Sequence, residues 1–454
     1  MLPAAVAAGH PATVAAGVEI LEEGGTAADA AVAAALASCV AETVMTGLLG
    51  GGHAIYWDGR TALNLDCFVD VPSGIGAAPV ELHVPFGEEL VHYAVGPGTC
   101  AVPGLPAGLG ALHTRFGRLP WARLVRPALE LAGSGVKMPP AHASCLAMLA
   151  PVFTLTEAGR AIYAPDGRPL ESGEPLEQPG LVDALELLAQ EGVASVYRGT
   201  LAEALLEAVA GVGISRDDLE RYEARWTDPL QVAYAGSRFL TRRAVSGVSE
   251  TLGRLPRLRG LGETARVHAL LAALEESGSG GHTTNLVVAD GGGAVCALTS
   301  SLGLGTGDFL PGYDLHLNSM LGETDLVLAA HDQGERMRSM MVPSIAFDDA
   351  GVVLAIGSAG GTRLRTALVG VAAGILDEGL EPVDAVARPR FHPVGGLVNA
   401  EPGVDEEALR QLERVGRSVR RWPAQHHYFG GVSAIGRRGA AGDPRRSGHA
   451  VLLG

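Results

Sequence analysis

Hydrophobic positions near the start of the chain recur at helical spacing. Pro11 suits a first helical turn, Val14, Val18 and Leu21 fall on one face, and Gly24-Gly25 ends the segment with residues able to take left-handed angles. Thr26 then precedes Asp29 at a capping-box spacing, and the alanine-rich run to Val40 predicts a second, smooth helix that packs close to its neighbours. Glycines 47, 50, 51 and 52 lead to alternating residues around Ala54-Ile55-Tyr56, which predict a strand. Further helices are expected from Gly108 to Phe116, then through Leu131 after the turn Gly117-Arg118-Leu119-Pro120-Trp121, and at Leu181 to Gly192, Leu201 to Val209 and Ala265 to Glu276.

Past this point the period changes to two. Thr283 to Asp290 and Val295 to Ser301 flank Gly291-Gly292-Gly293 and predict a hairpin. The stretch ahead of it, Glu275 to Gly281, has the Gly/Ser composition of a flexible linker, so a tail of that kind runs directly into a sheet at His282-Thr283. Ser344 to Phe347 and Val352 to Ala355 predict another strand pair. Gly357-Ser358-Ala359-Gly360-Gly361-Thr362 follows, then a helix from Arg363 to Leu376. A glycine loop between a strand end and a helix start turns backbone N–H groups outward with a favourable dipole, which makes it a candidate oxyanion site, although a plain tight turn has the same composition.

Composition narrows the partners. The chain has 454 residues, more than the roughly 250 to 300 that one core organises, and 47% hydrophobic against 19% charged residues excludes disorder. Lys and Arg number 34 against 50 Asp and Glu, a net charge of −16 that repels phosphate backbones and anionic lipid, so neither nucleic acid nor membrane is an expected partner. The richest apolar windows, Ala27 to Ala41 and Ala367 to Leu376, are shorter than the roughly 20 residues a bilayer span needs. No basic segment precedes the first helix, so a cytoplasmic protein is expected, a lost export signal being the lesser alternative. Cys39, Cys67, Cys100, Cys145 and Cys296 are odd in number and widely spaced, and His10, His53, His282 and His392 lack metal-ligand spacing; buried thiols, no metal and no cofactor are expected.

Several ordered blocks carry a family resemblance. They are Gly9-His10-Pro11, Gly24 to Ala33, the glycine run 47 to 52, Val102-Pro103-Gly104, Gly117 to Trp121, Gly281-His282-Thr283-Thr284, Gly357 to Arg363, Pro389-Arg390-Phe391-His392, Glu401-Pro402-Gly403 and Asp443-Pro444-Arg445-Arg446. In that order they resemble the gamma-glutamyltranspeptidase family of N-terminal-nucleophile hydrolases. The resemblance implies an α+β fold, a four-layer αββα sandwich, made of a self-cleaved heterodimer: a large fragment 1–282 and a small fragment 283–454 that remain associated. It implies cleavage between His282 and Thr283, with Thr283 as nucleophile and its freed amine as base. It further implies an oxyanion hole at Gly360 and Gly361, a supporting hydroxyl at Ser301, and substrate contacts at Ser339. The implied reaction is transfer of a gamma-glutamyl-type or related acyl group from a small-molecule amide to water or an amine.

The substrate side departs from the family pattern. Phe68 occupies the place of the arginine that takes the glutamyl carboxylate, Met340 that of a second carboxylate-binding serine, Gly303 that of an asparagine, and Glu323 at best that of the acid that takes the amine. A phenyl ring cannot imitate a bidentate guanidinium. An altered acyl specificity therefore stands beside the gamma-glutamyl one: a non-glutamyl amide acylase or a carbon–carbon hydrolase in secondary metabolism. A catalytically silent scaffold is the alternative of a different class.

Overall fold

The computed structural model of the chain describes residues 1–86, 89–208, 212–274, 283–323 and 332–454, and it is α+β. The linker 275–281 and His282 lie outside these residues, as does Val209. The first two helices form as patterned. In Pro11–Glu22 the His10 side chain accepts the Ala12 N–H, and in Ala27–Ala41 Thr26 and Asp29 form a reciprocal capping box. Asp29 does more than cap. Its carboxylate also accepts the N–H groups of Arg118 and Leu119 at 2.9 to 3.3 Å, which ties the Gly117–Trp121 turn to the helix start.

Two large sheets organise the described residues. The first has seven strands in the order His449–Leu452, Ala5–Ala8, Thr284–Ala289, Val295–Ser301, Gly51–Trp57, Ala62–Cys67 and Arg225–Thr227; the second has six, in the order Gly439–Gly442, Gly431–Gly436, Gly351–Ala359, Ser344–Asp348, Ser237–Thr241 and Leu230–Tyr234. Neighbours in both are antiparallel. Alternation decides what each face meets. Val287 and Ala289 pack with Ile55 and Ala297 against Ile345, Ala355 and Ile435 of the second sheet, whereas Leu286 and Val288 pack with Leu36, Leu109 and Leu185 of the helices. On the far side of the second sheet Phe239, Leu354 and Ile356 meet Leu252, Leu270 and Leu368. The strand Thr284–Ala289 is consequently buried along its whole length.

Three expectations shift. Gly357, Ser358 and Ala359 are not loop but the end of the strand Gly351–Ala359, because they pair with Ser433, Val432 and Gly431; the turn begins at Gly360. The helix that follows spans Arg363–Ala373 and widens into a single π turn, Gly374–Glu378. Eight strands of the two sheets escaped the pattern: Ala5–Ala8, Ala62–Cys67, Arg225–Thr227, Leu230–Tyr234, Ser237–Thr241, Gly431–Gly436, Gly439–Gly442 and His449–Leu452. All five cysteines are free and buried. No helix of the described residues is long and apolar enough to cross a membrane.

A buried ion network fixes the C-terminal part. Arg445 reaches Glu401 at 2.6 Å and Asp443 at 3.2 Å, Arg390 reaches Asp443 at 2.5 Å, and Asp443 also accepts the Val432 N–H at 3.0 Å. Arg445 and Glu401 side chains are wholly buried. The sequence blocks around 390, 401 and 443 thus meet in space and hold the strand Gly431–Gly436 beside the site described next.

Candidate active site

Thr283 stands at the mouth of the central strand Thr284–Ala289 and is buried. The Gly360 N–H donates to Thr283 Oγ1 at 3.1 Å. Gly360 has φ +123° and Gly361 φ +61°, and a Cβ at Gly360 would lie 2.7 Å from the Cα of Gly430, so glycine is required by both backbone angle and space. The helix Arg363–Ala373 begins directly after, which leaves these early N–H groups at the positive end of its dipole.

Ser301 closes the neighbouring strand. Thr284 pairs with Ser300, so Ser301 sits opposite Thr283, and Ser301 in turn pairs with Gly51. The Ser301 Oγ accepts the Gly303 N–H at 3.0 Å. The glycine run makes this approach feasible: a Cβ on Gly50 would stand 2.2 Å from the Ser301 carbonyl oxygen. The backbone of Phe68 lies against Gly51, where an added Cβ would come within 3.0 Å of the Phe68 Cα. Thr283, Ser301, Gly51 and Phe68 therefore follow one another across the sheet.

Beyond Phe68 the surroundings turn apolar. Phe68, fully buried, clusters with Val69, Ala101, Met320, Met337, Met340 and Met341. Ser339 is buried at the edge of this group; its Oγ accepts the Met341 N–H at 3.2 Å, and its carbonyl accepts from Val245 at 3.2 Å and Arg242 at 3.3 Å. Glu323 is also buried, and a Cβ on Gly303 would lie 3.0 Å from its Oε1 and 2.7 Å from the Ser319 Oγ. Glu323 and Gly303, both weakened positions of the expected clamp, are thus neighbours.

Sequence reasoning missed two polar residues here. Glu42, directly after the alanine helix, accepts from Thr284 Oγ1 at 2.5 Å and Thr13 Oγ1 at 2.7 Å. Burial pushes its carboxyl up to about 7, against the opposing pull of those hydroxyls and of Arg446. Asn285 accepts the Ser433 N–H at 2.9 Å and donates to the Gly431 carbonyl at 3.3 Å, pinning the two sheets together beside Thr283. A cavity of about 10 Å³, room for about one water, is lined by Thr283, Thr284, Asn285, Glu42 and Arg446 among others. A carboxylate closing a helix whose residues from Ala30 to Ala41 carry no charge was the available signal for Glu42.

Comparison with known proteins decides the kinship. The family model described as Gamma-glutamyltranspeptidase matches residues 13–249 and 263–453. The chain belongs to this family. Among curated relatives, the Acylase ACY 1 proenzyme of Pseudomonas sp. (strain SE83) is 28% identical over 510 residues, covering 95% of this chain and 89% of the relative. The Glutathione hydrolase proenzyme of Bacillus subtilis (strain 168) is 25% identical, covering 96% and 90%. Among solved structures, a cephalosporin acylase from Bacillus halodurans superposes with a TM-score of 0.84 at 22% identity, covering 100% of this chain and 96% of the other, a likeness of fold. Members of the gamma-glutamyltranspeptidase family thus include relatives named as acylases and relatives named as glutathione hydrolases, both as proenzymes.

Proposed function

We propose that this family member is an N-terminal-threonine amide hydrolase that activates itself by cleavage before Thr283 and takes an acyl group less polar than gamma-glutamyl. The observation that carries this is the Gly360 N–H on Thr283 Oγ1 at 3.1 Å, a donor already aimed at the hydroxyl beside which an oxyanion would develop. In activation the Thr283 Oγ adds to the carbonyl carbon of His282, the peptide C–N bond breaks, and the hydroxyl proton passes to the departing nitrogen. Water then hydrolyses the ester, leaving a carboxylate on His282 and a free α-amine on Thr283. That amine, with an ordinary pKa of about 7.7 to 8.0, is suited to take the Oγ proton in each later turnover. The substrate amide is attacked in the same way: its amine leaves protonated, the acyl group rests on Oγ, and water, or an acceptor amine, releases it. Gly360 and Gly361 hold the oxyanion, and Ser301 orients the nucleophile.

Four layers, helices outside two stacked sheets, accord with the apolar clusters between and outside the sheets. Fragments 1–282 and 283–454 would stay associated, because Thr284–Ala289 is flanked by Ala5–Ala8, and Val295–Ser301 by Gly51–Trp57. Phe68 and its methionine neighbours support an apolar acyl group, since methionine side chains adapt to irregular apolar ligands and a buried phenyl ring offers no charge. Ser339 and Glu323 favour the second reading, a residual gamma-glutamyl activity. A panel of acyl anilides on the mature protein separates the two. Faster turnover of an uncharged acyl anilide, with a mass increment on the Thr283 peptide, is the expected result; strong preference for gamma-glutamyl anilide would reverse the specificity proposed here.

A further inference from the structure

His53 is not among the groups assigned to acyl transfer. In its sheet it pairs with Thr299 on one side and Asp66 on the other, and Thr299 pairs with Asn285, so four polar residues form one row across adjacent strands. Directly opposed residues share a face. Two places along, Ile55, Ala297 and Val287 belong to the apolar layer between the sheets, so the row points into that layer. His53 is fully buried, and neither ring nitrogen has a hydrogen-bond partner. Asp66 Oδ1 is 3.6 Å from its Nδ1, beyond hydrogen-bond reach, and is engaged instead by Arg336 at 2.8 Å and the Phe68 N–H at 3.0 Å. Burial holds the imidazole well below its ordinary range, hence neutral, with one donor and one acceptor.

The ring borders a cavity of about 410 Å³, within the size range of small-molecule sites. Asn64 and Arg242 share its wall. Asn64 gives its Nδ2 to the Thr241 carbonyl and leaves Oδ1 without a partner. Arg242 spends Nη1 on the carbonyls of Ser339 and Met341, at 3.3 and 3.1 Å, and no carboxylate of the described residues pairs with it. Asp66 also lines the cavity, its carboxylate held by Arg336 at 2.8 Å, and at the rim the exposed Arg243 and Asp228 oppose one another in charge, so Arg242 is left as the wall's cation for one carboxylate rather than a polyanion.

We propose that this cavity is a binding site for a small monocarboxylate, held by the Arg242 guanidinium and the His53 ring, and separate from the Thr283 centre. It sits behind the proposed acyl pocket: Phe68 stacks on His53 with ring centroids 5.6 Å apart, and Arg242 holds the backbone of the Ser339–Met341 segment. An occupant would therefore stiffen that wall from the rear. The site does not depend on cleavage or on Thr283 being the nucleophile.

The test uses sodium propionate as probe, against sodium chloride at equal ionic strength, on the full chain by isothermal titration and thermal unfolding. Saturable binding of one propionate per chain is expected, unchanged in Thr283→Ala and at least tenfold weaker in Arg242→Gln and in His53→Phe. No saturable binding, or binding that survives both cavity substitutions, overturns the proposal, as does loss confined to Thr283→Ala, which would place propionate at the nucleophile. A crystal structure of the unaltered protein with propionate keeps the test decisive if a variant fails to fold: density between Arg242 and His53 supports the site, and density only at Thr283 or none rejects it.

Discussion

Two neighbouring regions around the end of the central strand obey different rules. On the side of the proposed nucleophile, Thr283, Ser301 and Gly360 meet through strand register and a turn that only glycine can make, and every group offered is a hydroxyl or an N–H. On the side where the family pattern places an amino-acid clamp, Phe68 and Met340 are buried among Met320, Met337 and Met341. On the function proposed above, geometry supplies the means of breaking an amide, while packing stands where a clamp for a zwitterion would be. The difference teaches that, on this proposal, reaction type and substrate choice rest on separate features of the structure: the first on backbone, the second on packed side chains.

The comparison breaks most sharply at Thr283. Thr283→Ala is expected to leave one uncut chain on a denaturing gel and no measurable turnover, whereas a loss of activity with normal cutting would move the nucleophile elsewhere. On the other side, Phe68→Arg places a charge among buried methionines, and a destabilisation on the order of 3–5 kcal/mol in chemical denaturation is expected. Little change would mean that a polar clamp still surrounds the position. Gly360→Ala removes a left-handed angle and crowds Gly430; a drop of about 10²–10³ in kcat is expected at unchanged fold by circular dichroism, and a drop below tenfold would remove this N–H from the oxyanion site.

Glu42 sharpens the contrast through pH. Its carboxyl is raised from 4.5 to about 7, so below about 4.5 both folded and unfolded chains hold the proton. Between those values the unfolded chain releases it first, and stability falls as pH rises, by up to about 3 kcal/mol. Above about 7 this contribution to the slope ends. Glu42→Gln is expected to flatten the fall in denaturant midpoints between pH 5 and 7, and an unchanged slope would assign the titration to another group. Ser301→Ala is the mildest case, with kcat reduced about tenfold for the loss of one hydrogen bond of roughly 1.4 kcal/mol.

Local chemistry made much of the fold legible in the sequence. Pro11, the Thr26–Asp29 box and the glycine run each impose a conformation within a few residues, and they stand where the pattern placed them. The period-two segments after 283 form the hairpin Thr284–Ala289 and Val295–Ser301 because both faces of that pair are apolar enough to be buried. Strands such as Ala5–Ala8 and Gly439–Gly442 escaped because Ala and Gly carry almost no periodic signal, and they become strands only when a neighbour offers its ladder. The boundary at Gly357 failed for the same reason: glycine read as a turn, but partners in Gly431–Gly436 extended the strand. Candidate residues tied to family blocks could be placed by order along the chain. Glu42, Asn285 and His53 could not, since their surroundings are made by residues more than a hundred positions away, Thr284, Ser433 and Thr299 respectively.

N-terminal sequencing of the mature protein tests the central claim most directly. A second chain beginning Thr-Thr-Asn-Leu, present in equal amount to the first and absent from Thr283→Ala, is the predicted result. A single intact chain in fully active material would contradict the account, because the amine assigned as base would then remain locked in a peptide bond.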